Sequence, residues 1–316
     1  MTSRAEWAAG RCEKGARIPK IAHPLPRTAR MLRLLMRSVA MLPLPVLHAM
    51  GTALGWLVYL VAPRYRRLLR ENLALAGYRE VAVRHAAIAS AGKAVMEVPA
   101  IWFRPRAAVL RWVRRIEGEA LVDAACAQGK GIVFLTAHQG CFEITAQLAA
   151  DRMPITVLYR PPRQMRLQPL IELGRAQHNV QLAPASLRGV RALIAALKRG
   201  EAVGILPDQV PSAGEGEWAE LFGRPAYTMT LAMRLAARDD TVTLLAFGER
   251  LARGAGYVVH VSPLPEAQAG ESPERRLNRA LESQIRRNPG QYLWAYNRYK
   301  KPPGAPPPPG AADACA

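Results

Sequence analysis

Residues 131–150 read GIVFLTAHQGCFEITAQLAA. The first seven form a continuous apolar run with β-branched members, the pattern of a strand buried on both faces. Gly140 then permits a tight turn, and CFEITAQLAA over 141–150 reads as a helix. A buried strand that turns directly into a helix is the repeating unit of an α/β fold with a largely parallel sheet. Outward from this unit the alternation continues. ITVLY (155–159) reads as a second strand. Ser186 caps a helix, LRGVRALIAALKR, that stops at Gly200. AVGILP (202–207) is a third buried strand, and TMTLAMRLAAR (228–238) is a helix capped by Thr228. TVTLLAF (241–247) and YVVHVS (257–262) are strands, and Ser272-Pro273 opens a last helix. The expected fold is a single α/β domain over 64–301, its largely parallel central sheet flanked by helices.

The chain has 316 residues, with 44 Lys and Arg against 24 Asp and Glu, a formal charge of +20. Half of it is hydrophobic, which excludes an intrinsically disordered chain. Four Cys, at 12, 126, 141 and 315, show no CxxC spacing. They make neither a disulfide framework nor a zinc signature, and no metal or cofactor is expected. The charge suits nucleic acid, or an anionic membrane with acidic soluble partners. No helix-turn-helix, RNP or zinc spacing is present, so nucleic acid is not expected.

Residues 1–30 read as a basic arm ending at Pro24-Leu25-Pro26-Arg27. Residues 31–63 read as a membrane anchor. Within them VAMLPLPVLHAMGTALGWLVYLVA (39–62) has no charged residue apart from a protonatable His48. Pro43 and Pro45 leave 17 residues from Val46 to Ala62, at the lower end of the roughly 17–25 that a spanning helix needs. Arg30, Arg33 and Arg37 precede the stretch, and Arg64, Arg66, Arg67 and Arg70 follow it. Basic residues on both sides suit a helix that dips into, or lies against, the cytoplasmic face of an anionic membrane. A buried core helix is the competing reading. Residues 64–115 read as helical and carry a second basic cluster at Arg104, Arg106, Arg111, Arg114 and Arg115. Residues 302–316 form a Pro-rich tail, expected to be disordered.

Side chains that do chemistry in open α/β sheets gather at the carboxyl ends of strands. The strand at 131–137 delivers His138 there, and Glu143 falls in the first turn of the following helix. A strand-turn-helix brings the two face to face. A carboxylate beside an imidazole fixes its tautomer and makes it a general base for a hydroxyl. A merely structural histidine satisfied by a nearby carboxylate is the competing reading. No GxSxG serine is present.

His-x4-Glu after a buried strand resembles the HX4(D/E) motif of the glycerolipid and lipid A acyltransferase superfamily. Further segments resemble the late acyltransferases of lipid A biosynthesis over about residues 31–301. They are Glu71-Asn72-Leu73, Tyr159-Arg160-Pro161, Gly174-Arg175, Ile205-Leu206-Pro207-Asp208-Gln209, Phe222-Gly223-Arg224-Pro225 and Pro289-Gly290-Gln291-Tyr292-Leu293-Trp294. Cys141, Tyr296 and Asn297 depart from the family pattern. The resemblance implies an inner-membrane enzyme on the cytoplasmic face. It would move a fatty acyl group from acyl carrier protein to a hydroxyl of a 3-hydroxyacyl chain on a lipid A precursor. It implies His138 as base, oriented by Glu143, with no acyl-enzyme. Arg160 and Arg175 are candidates for binding the oxyanion or the acceptor's phosphates. Asp208 ends a buried strand at the site rim, where it is expected to orient Arg175 or a helix N-terminus. A glycerophospholipid or lysophospholipid acyltransferase using acyl-CoA is the alternative.

Overall fold

The computed structural model describes residues 27–309 apart from 163, 165–167 and 178. The basic arm up to residue 26 and the tail beyond residue 309 lie outside the described residues. Helices α1 (Arg27–Ala40), α2 (Leu44–Val61), α3 (Pro63–Leu75), α4 (Val81–Phe103) and α5 (Arg106–Leu110) precede the sheet. There follow β1 (Val113–Glu117), α6 (Glu119–Ala127), β2 (Gly131–Leu135), α7 (Phe142–Arg152), β3 (Ile155–Tyr159), α8 (Gln168–Arg175), β4 (Val180–Pro184), α9 (Leu187–Lys198) and β5 (Ala202–Ile205). The chain continues with β6 (Gly216–Leu221), β7 (Arg224–Met229), α10 (Leu231–Ala236), β8 (Thr241–Arg250), β9 (Tyr257–Pro263) and α11 (Pro273–Arg287).

Seven strands form one sheet in the order β1-β9-β8-β2-β5-β3-β4. Every pair is parallel except β8 with β9. The α/β class with a largely parallel, helix-flanked sheet is therefore what the alternation of buried runs and helices predicts. All five residues of β2 and all four of β5 are buried, as central strands covered on both faces must be. Ser186 and Ser272 cap their helices by accepting from the amides of Gly189 and Arg275.

Some local structure differs from expectation. The helix expected over 228–238 is confined to α10 (Leu231–Ala236); residues 224–229 form β7, paired antiparallel with β6 around a turn at Phe222 and Gly223, both at positive φ. Thr228 consequently caps no helix. It is fully buried in β7, and its hydroxyl donates to the Ala226 carbonyl and accepts from Asn278 and Arg298. Two edge strands go beyond the sequence reading: β1 stands at the end of the basic stretch read as helical, and β4 in a stretch to which that reading assigns no element. Part of the tail is packed: Ala305 is buried against Val210 and Tyr227, and Trp218 Nε1 donates to the Pro306 carbonyl at 3.0 Å.

The apolar stretch becomes α2, entered through Pro43 and Pro45, which suit a first turn whose amides need no partners. It packs along α4, a second long apolar helix. The crossing is close because both partners are glycines. A Cβ on Gly92 would lie 1.9 Å from the Gly51 carbonyl oxygen and 2.5 Å from the Gly55 nitrogen. The other face of α2 stays bare. Nine of the twelve large apolar side chains exposed among the described residues fall between Met31 and Val61, including Leu34, Leu35, Leu57 and Leu60. Neither a fully buried core helix nor an isolated span describes α2: one face packs on the domain, and the other leaves large apolar side chains exposed.

Candidate active site

β2 and β5 lie side by side with Leu135 opposite Ile205. The chain leaves both strands at the same end of the sheet, so the third residue beyond each meets its counterpart: His138 meets Asp208. Asp208 Oδ2 accepts from the His138 backbone amide at 2.8 Å, and Oδ1 lies 2.7 Å from the ring Nδ1. Asp208 is buried, while the His138 side chain keeps 21% of its exposure. Burial alone would raise the Asp208 carboxyl. The charge of His138, its two hydrogen bonds and Arg298 outweigh that and hold it below the ordinary aspartate value. An ionised carboxylate only accepts, so Nδ1 carries a proton, and in the neutral ring the lone pair is left on Nε2. The Gln209 amide lies 3.3 Å from that Nε2, and the Phe142 ring packs edge-on against the imidazole.

The turn after His138 is tied down from several sides. Gly140 has φ +56°, and a Cβ there would sit 2.1 Å from the Gly248 carbonyl oxygen. Its amide donates to the Gln291 carbonyl at 2.9 Å, and Leu293 donates to the His138 carbonyl at 3.0 Å. Gln139 is buried and donates to carbonyls at the end of α11 and beyond it. The Pro289–Trp294 segment thus acts as a backbone prop for this turn.

Glu143 stands in the first turn of α7 but bonds elsewhere than expected. Its Oε1 accepts from Nε of Arg175 at 3.0 Å and from Nη2 of the same side chain. Its Oε2 accepts from Trp102 Nε1 at 3.1 Å, and the Arg175 guanidinium lies over the Trp102 ring. The carboxylate bonded to the His138 ring is that of Asp208, not Glu143. The register of β2 on β5 decides this, and the side chain bonded to Asp208 is His138 rather than Arg175. Arg160 is exposed at the end of β3. Burial and a hydrogen bond to Glu172 push the Tyr159 phenol up to about 12.

His138, Glu143, Arg160, Arg175 and Gln209 all line one cavity of about 290 Å³. Phe134, Ile155, Val157, Val180 and Gly204 line it too. Ile155 and Val180 open their strands, whereas Arg160 and Gln209 follow theirs. The cavity therefore runs along the sheet face from a polar mouth at the carboxyl ends to an apolar interior. Burial pushes the Cys141 thiol well above its ordinary range, which disqualifies it as a nucleophile.

Sequence reasoning placed His138, Glu143, Arg160, Arg175 and Asp208 at one site, and all five come together here except that Asp208 reaches the cavity only through His138. It missed Trp102 and Gln209. Trp102 is far away in the chain and gave no local signal, whereas Gln209 follows Asp208 directly at the end of a buried strand.

The known proteins similar to this chain share one family description. The family model of the bacterial lipid A biosynthesis acyltransferases matches residues 19–301. The chain is 28% identical over 270 residues to a lipid A biosynthesis palmitoleoyltransferase of Escherichia coli (strain K12), covering 83% of this chain and 87% of that one. It is 28% identical over 280 residues to a lauroyltransferase of lipid A biosynthesis from the same strain, covering 85% and 90%. A lipid A biosynthesis acyltransferase of Haemophilus influenzae (strain ATCC 51907 / DSM 11121 / KW20 / Rd) is 26% identical over 280 residues, covering 84% and 88%. With a histidine and carboxylates gathered at one apolar cavity and a family match across nearly the whole domain, the chain belongs to the bacterial lipid A biosynthesis acyltransferases.

Proposed function

We propose that this enzyme transfers a fatty acyl group from acyl carrier protein to the hydroxyl of a 3-hydroxyacyl chain on a lipid A precursor, with His138 as general base. The observation that carries the reading is the His138–Asp208 pair at the mouth of an apolar cavity. Nε2 takes the hydroxyl proton as the oxygen attacks the thioester carbonyl carbon. The resulting oxyanion collapses, the carbon–sulfur bond breaks, and the proton passes from Nε2 to the departing thiolate. No acyl-enzyme forms. Arg175, held by Glu143 and Trp102, supplies positive charge for the developing oxyanion. Arg160, at the rim, pairs with a phosphate of the acceptor. The acyl chain lies along Ile155, Val157 and Gly204.

The reaction takes place at the cytoplasmic face of the inner membrane. The bare face of α1 and α2 seats the enzyme in lipid. The exposed Arg64, Arg67 and Arg70 steer it to anionic headgroups and favour approach of an acidic carrier protein. Arg104 and Arg106 contribute less, since they already bond carbonyls of α1, the following turn and α7. The test is a donor and acceptor comparison with purified enzyme. Transfer from acyl carrier protein to a lipid A precursor, lost in His138→Ala, is expected. Faster transfer from acyl-CoA to a lysophospholipid would replace this reading with the glycerophospholipid one.

A further inference from the structure

Arg250, the last residue of β8, carries a charge into the protein interior: its side chain keeps 4% of its exposure. Its guanidinium reaches three places. Nε donates to Glu97 Oε1 at 2.7 Å and Nη1 to Ser90 Oγ at 2.9 Å, both on α4. Nη2 donates to the Gly140 carbonyl at 2.6 Å. Gly140 is the turn residue between His138 and Glu143. The backbone of Arg250 is clamped as well, since its amide and carbonyl both bond the Gln291 side chain at 2.9 Å. The Gln291 carbonyl accepts from the Gly140 amide. Both polar backbone groups of Gly140 therefore end on Arg250 or on the residue that clamps it.

The charge of Arg250 is retained because Glu97 answers it. Burial by itself would raise the Glu97 carboxyl, but Arg250 and His48 bring it down to about 2. His48, on α2, lies 2.6 Å from the same Glu97 oxygen that Arg250 uses. A chain of contacts thus runs from the half-bare helix α2, through α4, to the turn that carries His138. A buried guanidinium carries more N–H donors than Glu97 accepts, so its remaining nitrogens must be placed elsewhere. Here one guanidinium nitrogen is aimed at the active-site turn, whose tight approach to Gly248 leaves little freedom to move without moving His138.

We propose that Arg250 is a positioning residue for the catalytic turn, held in place by Glu97, and that His48 makes that position depend on the seating of α2 against α4. The proposal rests on His138 being the base. The test is steady-state kinetics of Arg250→Lys and Glu97→Gln beside wild type and His138→Ala, with acyl carrier protein as donor. Neither Arg250 nor Glu97 lines the cavity, so KM for both substrates stays within about twofold, while kcat falls by about 10-fold or more as the turn relaxes. A lowered melting temperature with unchanged kcat per folded molecule would overturn the proposal. Where these variants do not fold, Ser90→Ala and His48→Gln remove single links of the chain, and several-fold losses in kcat are expected. Wild-type kcat in both would overturn it equally. An inactive His138→Ala beside a fully active Arg250→Lys refutes positioning and spares the general base. A fully active His138→Ala refutes the base, and the proposal with it.

Discussion

Asp208→Asn removes one charge and changes almost no volume. In wild type the buried carboxylate holds the His138 amide and Nδ1–H together. In the proposed reaction Nε2 takes the acceptor's proton, and the ring then becomes positive about 4 Å from the carboxylate charge. At an effective dielectric of about 20, that attraction is worth about 4 kcal/mol. Part of it remains in the variant, because the amide oxygen still accepts from Nδ1. A net loss of about 3–4 kcal/mol from the transition state corresponds to a fall of about 10²- to 10³-fold in kcat. Turning the amide so that its NH₂ faces Nδ1 would force the wrong tautomer and deepen the loss. KM is expected to change little, since Asp208 is shielded from the cavity by His138. The assay is single-turnover transfer of a radiolabelled acyl group from its carrier, with saturating acceptor. A variant within about threefold of wild type would refute the view that Asp208 orients and charges the base.

Asp208 also links stability to pH. Its carboxyl is depressed in the folded state, so its stabilisation is present above the ordinary value of 3.8 and is lost as pH falls through the lower folded value. The stability gap between wild type and Asp208→Asn, measured by denaturant melts, should therefore shrink as pH drops below 3.8. Gly204→Leu should favour shorter donors. A Cβ fits there at 3.4 Å from Val157, and the added branches fill cavity space. A swing of about tenfold or more in the ratio of kcat/KM between short and long acyl carriers is expected in competition assays. Gly92→Val forces α2 from α4, because its Cβ meets the Gly51 carbonyl at 1.9 Å. A loss of about 3 kcal/mol or more should show in thermal melts. Replacing exposed Leu57 and Leu60 together by Asp should release the protein from anionic vesicles in a sedimentation assay, since each Leu contributes about 1.5–3 kcal/mol when buried in lipid. Retained sedimentation would move the membrane contact elsewhere.

The central strands were legible because burial on both faces leaves an unbroken apolar run, as in Gly131–Leu135 and Ala202–Ile205. The edges were not. β1 reads VRRIE, and the two arginines that suit an exposed edge made it look like more of the preceding basic stretch. The β6–β7 hairpin carried a usable signal in Phe222-Gly223, a two-residue turn at positive φ, yet the apolar residues that follow outweighed it. At the site, His138 and Glu143 could be found from one segment. Their partners could not, because pairing is set by how strands align. Nothing in either segment says that Leu135 sits opposite Ile205, and that register alone brings Asp208 to His138 and leaves Glu143 for Arg175. The packing of α2 on α4 was hidden for a similar reason. Gly51, Gly55 and Gly92 are unremarkable in sequence and matter only once the two helices cross.

The most direct test of His138 as the base of a lipid A acyltransferase is mass spectrometry of lipid A from cells lacking this gene, complemented by wild type or by His138→Ala at equal expression. Loss of the mass of one acyl chain, restored by wild type and not by His138→Ala, is the expected result. Lipid A that is unchanged by the deletion, or restored equally by both proteins, would contradict it.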